Sequence, residues 1–135
     1  MPKGTTVLRL LYVSRNLIPE ADAQAEIGRI LVAARDRNEA MGITGALLFS
    51  EDCFAQALEG PVAAVEEVFG RIRRDPRHAK LSVLEAVPAE AREFGEWSMA
   101  FVGGTGLAAG ETQTRGTQRL GALLVEAVRR AEAVA

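Results

Sequence analysis

The sequence is poor in the residues that build covalent and metal-centred sites. Its 135 residues include one cysteine, Cys53, and one histidine, which excludes an internal disulfide and leaves too few ligands for a Cys/His metal cluster. The patterns H-E-x-x-H, G-x-x-x-x-G-K-[ST] and G-x-G-x-x-G do not occur. Zinc hydrolysis, P-loop chemistry and a Rossmann dinucleotide site are therefore disfavoured, and no metal site is expected.

Long hydrophobic runs and a strong charge of either sign are also missing. No apolar run approaches the roughly 18–20 residues of a membrane span, and residues 1–6 are too short and polar for a signal peptide. Formal net charge is −2, which disfavours nucleic acid as the main partner. We expect a cytoplasmic protein with neither a membrane nor a nucleic-acid partner.

The segment from residue 41 to residue 60 predicts a β-hairpin. Two apolar runs, Ile43–Phe49 and Phe54–Leu58, flank a short polar S-E-D segment. Because side chains alternate along a strand, Gln56 shares a face with Phe54 and Leu58, which are core residues. Burying an unpaired amide costs about 1–3 kcal/mol, so Gln56 needs a partner. That partner is either a neighbouring backbone group or a ligand.

The first strand is predicted over Val7–Ser14, and both of its faces are largely apolar. Such a pattern favours a central strand of a sheet. Tyr12 shares its face with Leu8 and Leu10, so its hydroxyl also needs a hydrogen-bond partner. Tyr12 is either an ordinary core tyrosine whose tip reaches the sheet end or part of a site.

A first helix is predicted from an N-cap at Asp22 to about Arg37. One turn beyond its apolar stripe comes Asn38, which we interpret either as a helix-terminating residue or as an amide presented to a site. The stripe consists of Ile27, Ile30, Leu31 and Ala34.

A second helix is predicted from Pro61, placed at the first helical position, to the Asp75-Pro76 pair. Its apolar stripe consists of Val62, Val65, Phe69 and Ile72. A basic cluster around its end consists of Arg71, Arg73, Arg74, Arg77, His78 and Lys80. These residues either complement the helix dipole as solvated cations or bind an anion such as phosphate.

Two more strands are predicted, over Leu81–Val87 and Trp97–Val102. On the last strand Trp97, Met99 and Phe101 point to one side. Such a row most often belongs to a hydrophobic core.

The order of elements, βαββαββ, indicates an α+β fold, a ferredoxin-like sandwich with a mixed five-stranded sheet and two helices on one face. An apolar tail helix over Thr117–Ala135, beyond a glycine-rich joint, is expected on the other face. We therefore divide the chain into one domain, 6–103, and a tail, 104–135. A slot between the two helices, with polar edges from Asn38, Gln56 and Asp75, would suit a flat apolar ligand. Its expected walls are Ile27, Ile30, Val65 and Phe69.

Five sequence motifs, in order and in register over roughly residues 6–103, resemble the BLUF family, blue-light sensors that use FAD. They are L-L-Y-V-S around Tyr12, R-N-x-x-x-G-I-T-G from Arg37, F-x-Q-x-L-E-G from Phe54, R-I-x-x-D-x-R-H from Arg71, and F-x-x-W-x-M from Phe94.

The resemblance implies a role for each matched position. Tyr12 would be the light-driven electron and proton donor, and Gln56 would relay between Tyr12 and the flavin. Trp97 and Met99 would carry the signal out along the last strand. The residues expected at the FAD cofactor are Ile30, Arg37, Asn38, Gln56, Arg71, Asp75, Arg77 and His78.

Two departures from the family pattern concern the first helix. Arg37 stands where relatives often carry Asn or His, and Ala34 stands where Ser is frequent. The tail lies outside the resemblance. We expect a photoreceptor that is not an enzyme, that forms homo-oligomers and that signals to a separate protein partner or through rearrangement of a dimer.

Two other functions are compatible with the predicted fold. The first is a cofactor-free regulatory or interaction module in which Tyr12 and Gln56 simply bond to each other. The second is a small acylphosphatase-like hydrolase. That enzyme needs an anion-binding glycine-rich loop after the first strand, and the segment Arg15-Asn16-Leu17 does not supply one.

Overall fold

The structure, a computed structural model, describes residues 6–49, 53–95 and 98–103. The strands are β1 (Val7–Asn16), β2 (Thr44–Phe49), β3 (Cys53–Gly60), β4 (His78–Ala89) and β5 (Ala100–Gly103). The helices are α1 (Ala23–Met41), which follows a single 3-10 turn at Glu20–Asp22, and α2 (Val62–Arg73).

The strands form one sheet in the order β4-β1-β3-β2-β5. The first four pair antiparallel, whereas β5 runs parallel to β2. The coarser part of the predicted architecture, an α+β fold with an antiparallel sheet of four strands and two helices, is confirmed. β1 is a central strand as expected, because it pairs with β3 on one side and β4 on the other.

Both helices pack on one face of the sheet. The hydrophobic core between them unites Leu10, Tyr12, Leu47, Phe54 and Leu58 of the strands with Ile27 and Ala34 of α1 and Val65 and Val68 of α2. The opposite face is also closed to solvent, with Leu11, Val13, Leu48, Ala55 and Ala57 at most 1% exposed. The predicted tail helix, residues 117–135, lies outside the described residues.

α1 continues past its predicted end near Arg37 to Met41, so the interpretation of Asn38 as the terminal residue was wrong. Asn38 lies inside the helix and is fully buried. The helix stops at Gly42, whose φ of 73° is left-handed and suits glycine at this position. The side chain of Asp22 makes no capping hydrogen bond.

α2 begins one residue later than predicted. Pro61 has an extended ψ of 141° and occupies the N-cap, not the first helical position. Val62 is 51% exposed, whereas Val68 is fully buried. The predicted stripe was therefore wrong at its first residue, and the helix is rotated so that Val65 and Val68 point into the core.

The last two strands differ from their predicted limits. β4 extends to Ala89 and includes Pro88, which is tolerated because β4 is an edge strand. β5 begins only at Ala100, so Met99 lies just before the strand. Trp97 is outside the described residues. Among the helices that the structure describes, none is long and apolar enough to cross a membrane.

Candidate functional site

A cavity of about 280 Å³ opens between α1, the end of α2 and the helix-facing side of the sheet. Its size is just below the range of about 300–1,000 Å³ that is usual for ligand sites. Its lining combines apolar walls with a few polar groups, consisting of Tyr12, Arg29, Ile30, Ala33, Ala34, Arg37, Leu47, Phe54, Gln56, Ile72, Asp75, Arg77 and His78.

Three buried side chains form a hydrogen-bonded chain at this cavity. Tyr12 and Gln56 lie directly opposite each other on β1 and β3, and the Tyr12 hydroxyl donates to Oε1 of Gln56. Nε2 of Gln56 donates to the sulfur of Met99 over 3.8 Å. The partner that Gln56 needed is thus supplied by two side chains. The chain links the sheet centre to the residue just before β5.

Burial raises the pKa of Tyr12, and the negative charge of Asp75 adds to this effect while the charge of Arg37 opposes it. The phenol therefore keeps its proton on Oη at neutral pH and stays a hydrogen-bond donor.

Since Tyr12 is the only tyrosine in the chain, its titration can be observed directly. We expect tyrosinate absorbance in the folded protein to appear well above the usual pKa of about 10, and in urea near that value. Because folding raises the pKa of Tyr12, the protonated phenol makes its full contribution to the stability of the folded protein below about pH 10. That contribution declines as the pH rises through the pKa of Tyr12 in the folded protein. Equal titration curves in native and denatured protein would contradict the buried hydrogen bond.

Asn38, an expected site residue, is not among the residues that line the cavity. Its Nδ2 donates to the backbone carbonyl of Ser98 at 2.9 Å, and its Oδ1 accepts from Nε of Arg37 at 3.2 Å. Both ends of the amide are thus bonded within the protein. Arg37 itself lines the cavity, and burial, followed by repulsion from Arg71, lowers its pKa.

An ionic chain forms the outer wall of the cavity. Arg77 donates from Nη2 to Asp75 at 2.7 Å and from Nη1 to Glu26 at 3.1 Å. Hydrogen bonding from Arg77 lowers the pKa of Asp75, and the same bond raises the pKa of Arg77. The chain connects α1 to the loop after α2 and keeps a carboxylate and a guanidinium at the cavity edge.

His78 and Ile30 also line the cavity, and both were predicted as site residues. Nε2 of His78 lies 2.7 Å from the carbonyl of Ile72, and Nδ1 lies 2.6 Å from Oγ of Ser14. Because a carbonyl only accepts, we assign the proton to Nε2 and let Nδ1 accept from Ser14. His78 thus ties the end of α2 to β1.

Arg71, like Asn38, is an expected site residue that lies outside the cavity lining. It pairs with Glu67 at 2.9 Å on the exposed side of α2. It borders a neighbouring open groove, which shares Asp75 and Arg77 with the cavity.

Sequence reasoning missed a buried carboxylate at the end of β3. Glu59 is fully buried and accepts from four donors, which are Nε of Arg9, Oγ1 of Thr44 and the backbone N–H groups of Glu93 and Phe94. The signal was available, because alternation puts Glu59 on the same face as Ala55 and Ala57. A carboxylate among buried alanines requires several donors.

The cavity fits a planar tricyclic ring with polar edges. Ile30 and Ile72 supply apolar surface, whereas Arg37, Asp75 and Arg77 bring charged and hydrogen-bonding groups to the same space. Gln56 contributes an amide that already bridges two partners. The residues present therefore suit a flavin better than a small polar metabolite, which would need more polar walls.

Comparisons with known proteins agree. A family model described as sensors of blue light using FAD matches residues 7–100. The photoactivated adenylate cyclase subunit alpha of Euglena gracilis is 35% identical over 95 residues, which is 70% of this chain and 9% of that protein. The chain thus spans about a tenth of the length of the curated relatives it matches.

Two solved structures are similar over most of the chain. The dark-state structure of BlrB, a BLUF protein, is 38% identical with a TM-score of 0.69, covering 80% of this chain and 76% of that one. The ground-state structure of BlsA is 29% identical with a TM-score of 0.80, covering 90% and 87%. On the match to the family model and these likenesses, the chain belongs to the BLUF family, the sensors of blue light using FAD.

Proposed function

We propose that the cavity holds the flavin ring of FAD and that the chain Tyr12–Gln56–Met99 is the light-dependent switch. One observation carries the proposal: a single amide at the cavity wall, that of Gln56, accepts from Tyr12 and donates to Met99. The BLUF family senses blue light with FAD, and in this chain Tyr12, Gln56 and Met99 would carry the response to light.

The lining suggests how the ring would be held. Ile30 and Ile72 would contact its faces, and Arg37, Asp75 and Arg77 would meet its polar edge, with His78 fixing the wall behind. Asn38 would act on the flavin indirectly, by positioning Arg37 through their hydrogen bond. Arg71 would contribute positive charge near the cofactor from the neighbouring groove. When bound, the flavin supplies blue-light absorption, electron acceptance and hydrogen-bond acceptors.

The chemistry of the switch follows from the two ends of the Gln56 amide. Rotation by half a turn exchanges Oε1 and Nε2. The Tyr12 hydroxyl would then face an N–H donor, and the sulfur of Met99, which only accepts, would face an oxygen. Because two acceptors cannot bond, the rotated amide loses Met99, and the segment before β5 is released from β3.

Signal output would follow this segment. We propose that Met99, with Trp97 close by in sequence, passes the change through β5 to the tail, 104–135, which would cover the second face of the sheet and meet a second copy or a partner. The domain limits, 6–103 and 104–135, belong to the same proposal. So does the absence of enzymatic activity in this chain.

The experiment is reconstitution with FAD followed by illumination. Purified protein should take up one flavin, turn yellow and show a red-shifted absorption band under blue light that reverts in darkness, whereas free FAD shows no such reversible shift. Protein that takes up no flavin would support the cofactor-free module instead.

A further inference from the structure

Two side chains of α1 hold the backbone just before β5. Nε of Arg35 donates to the carbonyl of Met99 at 3.0 Å, and Nδ2 of Asn38 donates to the carbonyl of Ser98 at 2.9 Å. Residues three apart lie on the same face of a helix, so the two donors can bond to the carbonyls of two consecutive residues. Arg35 belongs to none of the sequence motifs.

These bonds differ from the Gln56 contact in strength and in target. A thioether is a weak acceptor, so the bond from Gln56 to Met99 holds the side chain only loosely. A guanidinium donates a charge-assisted bond, about twice as strong as a neutral one. Arg35 bonds to the main-chain carbonyl of Met99, so this bond persists when the Met99 side chain changes its partner.

We propose that Arg35 is a positioning residue that tethers the start of β5 and sets how far this strand responds to Gln56. The inference rests on the proposed function for its light-dependent part. With the tether present, losing the Gln56 contact frees the Met99 side chain while the backbone stays on α1. Without it, the segment before β5 keeps the Asn38 bond to its backbone and the weak Gln56 contact to the Met99 side chain, and β5 loosens even in the dark.

The test compares Arg35→Met with the parent by amide hydrogen exchange over residues 98–103, in FAD-loaded protein kept in the dark. Because Arg35 is exposed, solvent offsets the charge assistance, and a hydrogen bond worth about 0.5–1.5 kcal/mol corresponds to exchange about 2- to 13-fold faster, with β1 and β3 unchanged. Arg35→Lys keeps a cationic donor and should restore part of the protection. Arg15→Met, which removes an exposed arginine of β1, is the charge-matched control and should have no effect at 98–103.

Light adds a second readout. We expect Arg35→Met to keep the absorption shift but to lose part of the light–dark difference in exchange at 98–103, because its dark form is already loosened. Parent-like exchange in Arg35→Met, in darkness and in light, would overturn the inference. A parent that binds FAD without any reversible shift would instead overturn the proposed function, and the dark exchange would still decide on the tether.

Discussion

Replacing Gln56 with leucine is expected to abolish the light-induced absorption shift while flavin binding persists. Leucine approximates the volume of glutamine but has neither donor nor acceptor. The chain from Tyr12 to Met99 is then broken at its centre, and no rotation can exchange hydrogen-bond partners. The measurement is the difference spectrum of FAD-loaded protein before and after blue light.

The matched control is Leu47→Met. Leu47 pairs directly with Gln56 across β2 and β3 and lines the same cavity, yet it offers no hydrogen bond, so its volume-conserving replacement should leave the shift in place. Gln56→Leu also leaves the Tyr12 hydroxyl without its acceptor, at a cost of about 1–3 kcal/mol. Adding Tyr12→Phe should recover part of that stability. A normal shift in Gln56→Leu would remove Gln56 from the switch.

The largest loss of stability is expected from Glu59→Gln. All four partners of the carboxylate donate to it, two on each oxygen. Whichever way the amide of glutamine turns, its NH₂ group faces a backbone N–H, and the charge opposite Arg9 is lost. Breaking a buried ion pair lowers the free energy of unfolding by about 3–5 kcal/mol. We expect the low end of this range because the Arg9 side chain is 19% exposed.

Glu67→Gln is the control for Glu59→Gln, since it makes the same chemical change in an exposed pair. Glu67 and Arg71 are each 55% exposed, and such helix-surface pairs contribute about 0.3–0.5 kcal/mol. Urea unfolding of the two variants should therefore give clearly different losses. Similar losses would mean that the Glu59 cluster is no stronger than a surface ion pair.

The local sequence pattern was sufficient to predict that Tyr12 and Gln56, at the centre of the candidate site, lie close together. Alternation along two strands placed Tyr12 and Gln56 on the helix-facing side, and the fold topology made their strands neighbours, as the register shows. Burial of Asn38 followed from the stripe of α1 in the same way. In each case the periodicity of one element determines which side chains face inward.

Other contacts lay beyond the sequence because their partners are far apart along the chain. Arg35 is an exposed position on α1, and nothing local indicates a bond to a carbonyl 64 residues later. The sequence motif contains both Arg71 and Arg77, but Arg71 lies on α2 and pairs with Glu67, whereas Arg77, in the loop after α2, lines the cavity. The role of Trp97 stays a prediction.

The parallel pairing of β5 has a mechanical consequence. Among the described residues, β5 is a four-residue strand at the sheet margin that pairs with β2 alone, so its detachment breaks a single short ladder. The other margin, β4, has twelve residues, and its removal would expose the strand that carries Tyr12. In the described sheet, the backbone pairing is therefore weaker at the β5 margin, where Arg35 and Asn38 add side-chain bonds, than at the β4 margin. Under the proposed output route, a signal that leaves through β5 would keep the antiparallel part of the sheet, and the cavity built on it, intact for the next cycle.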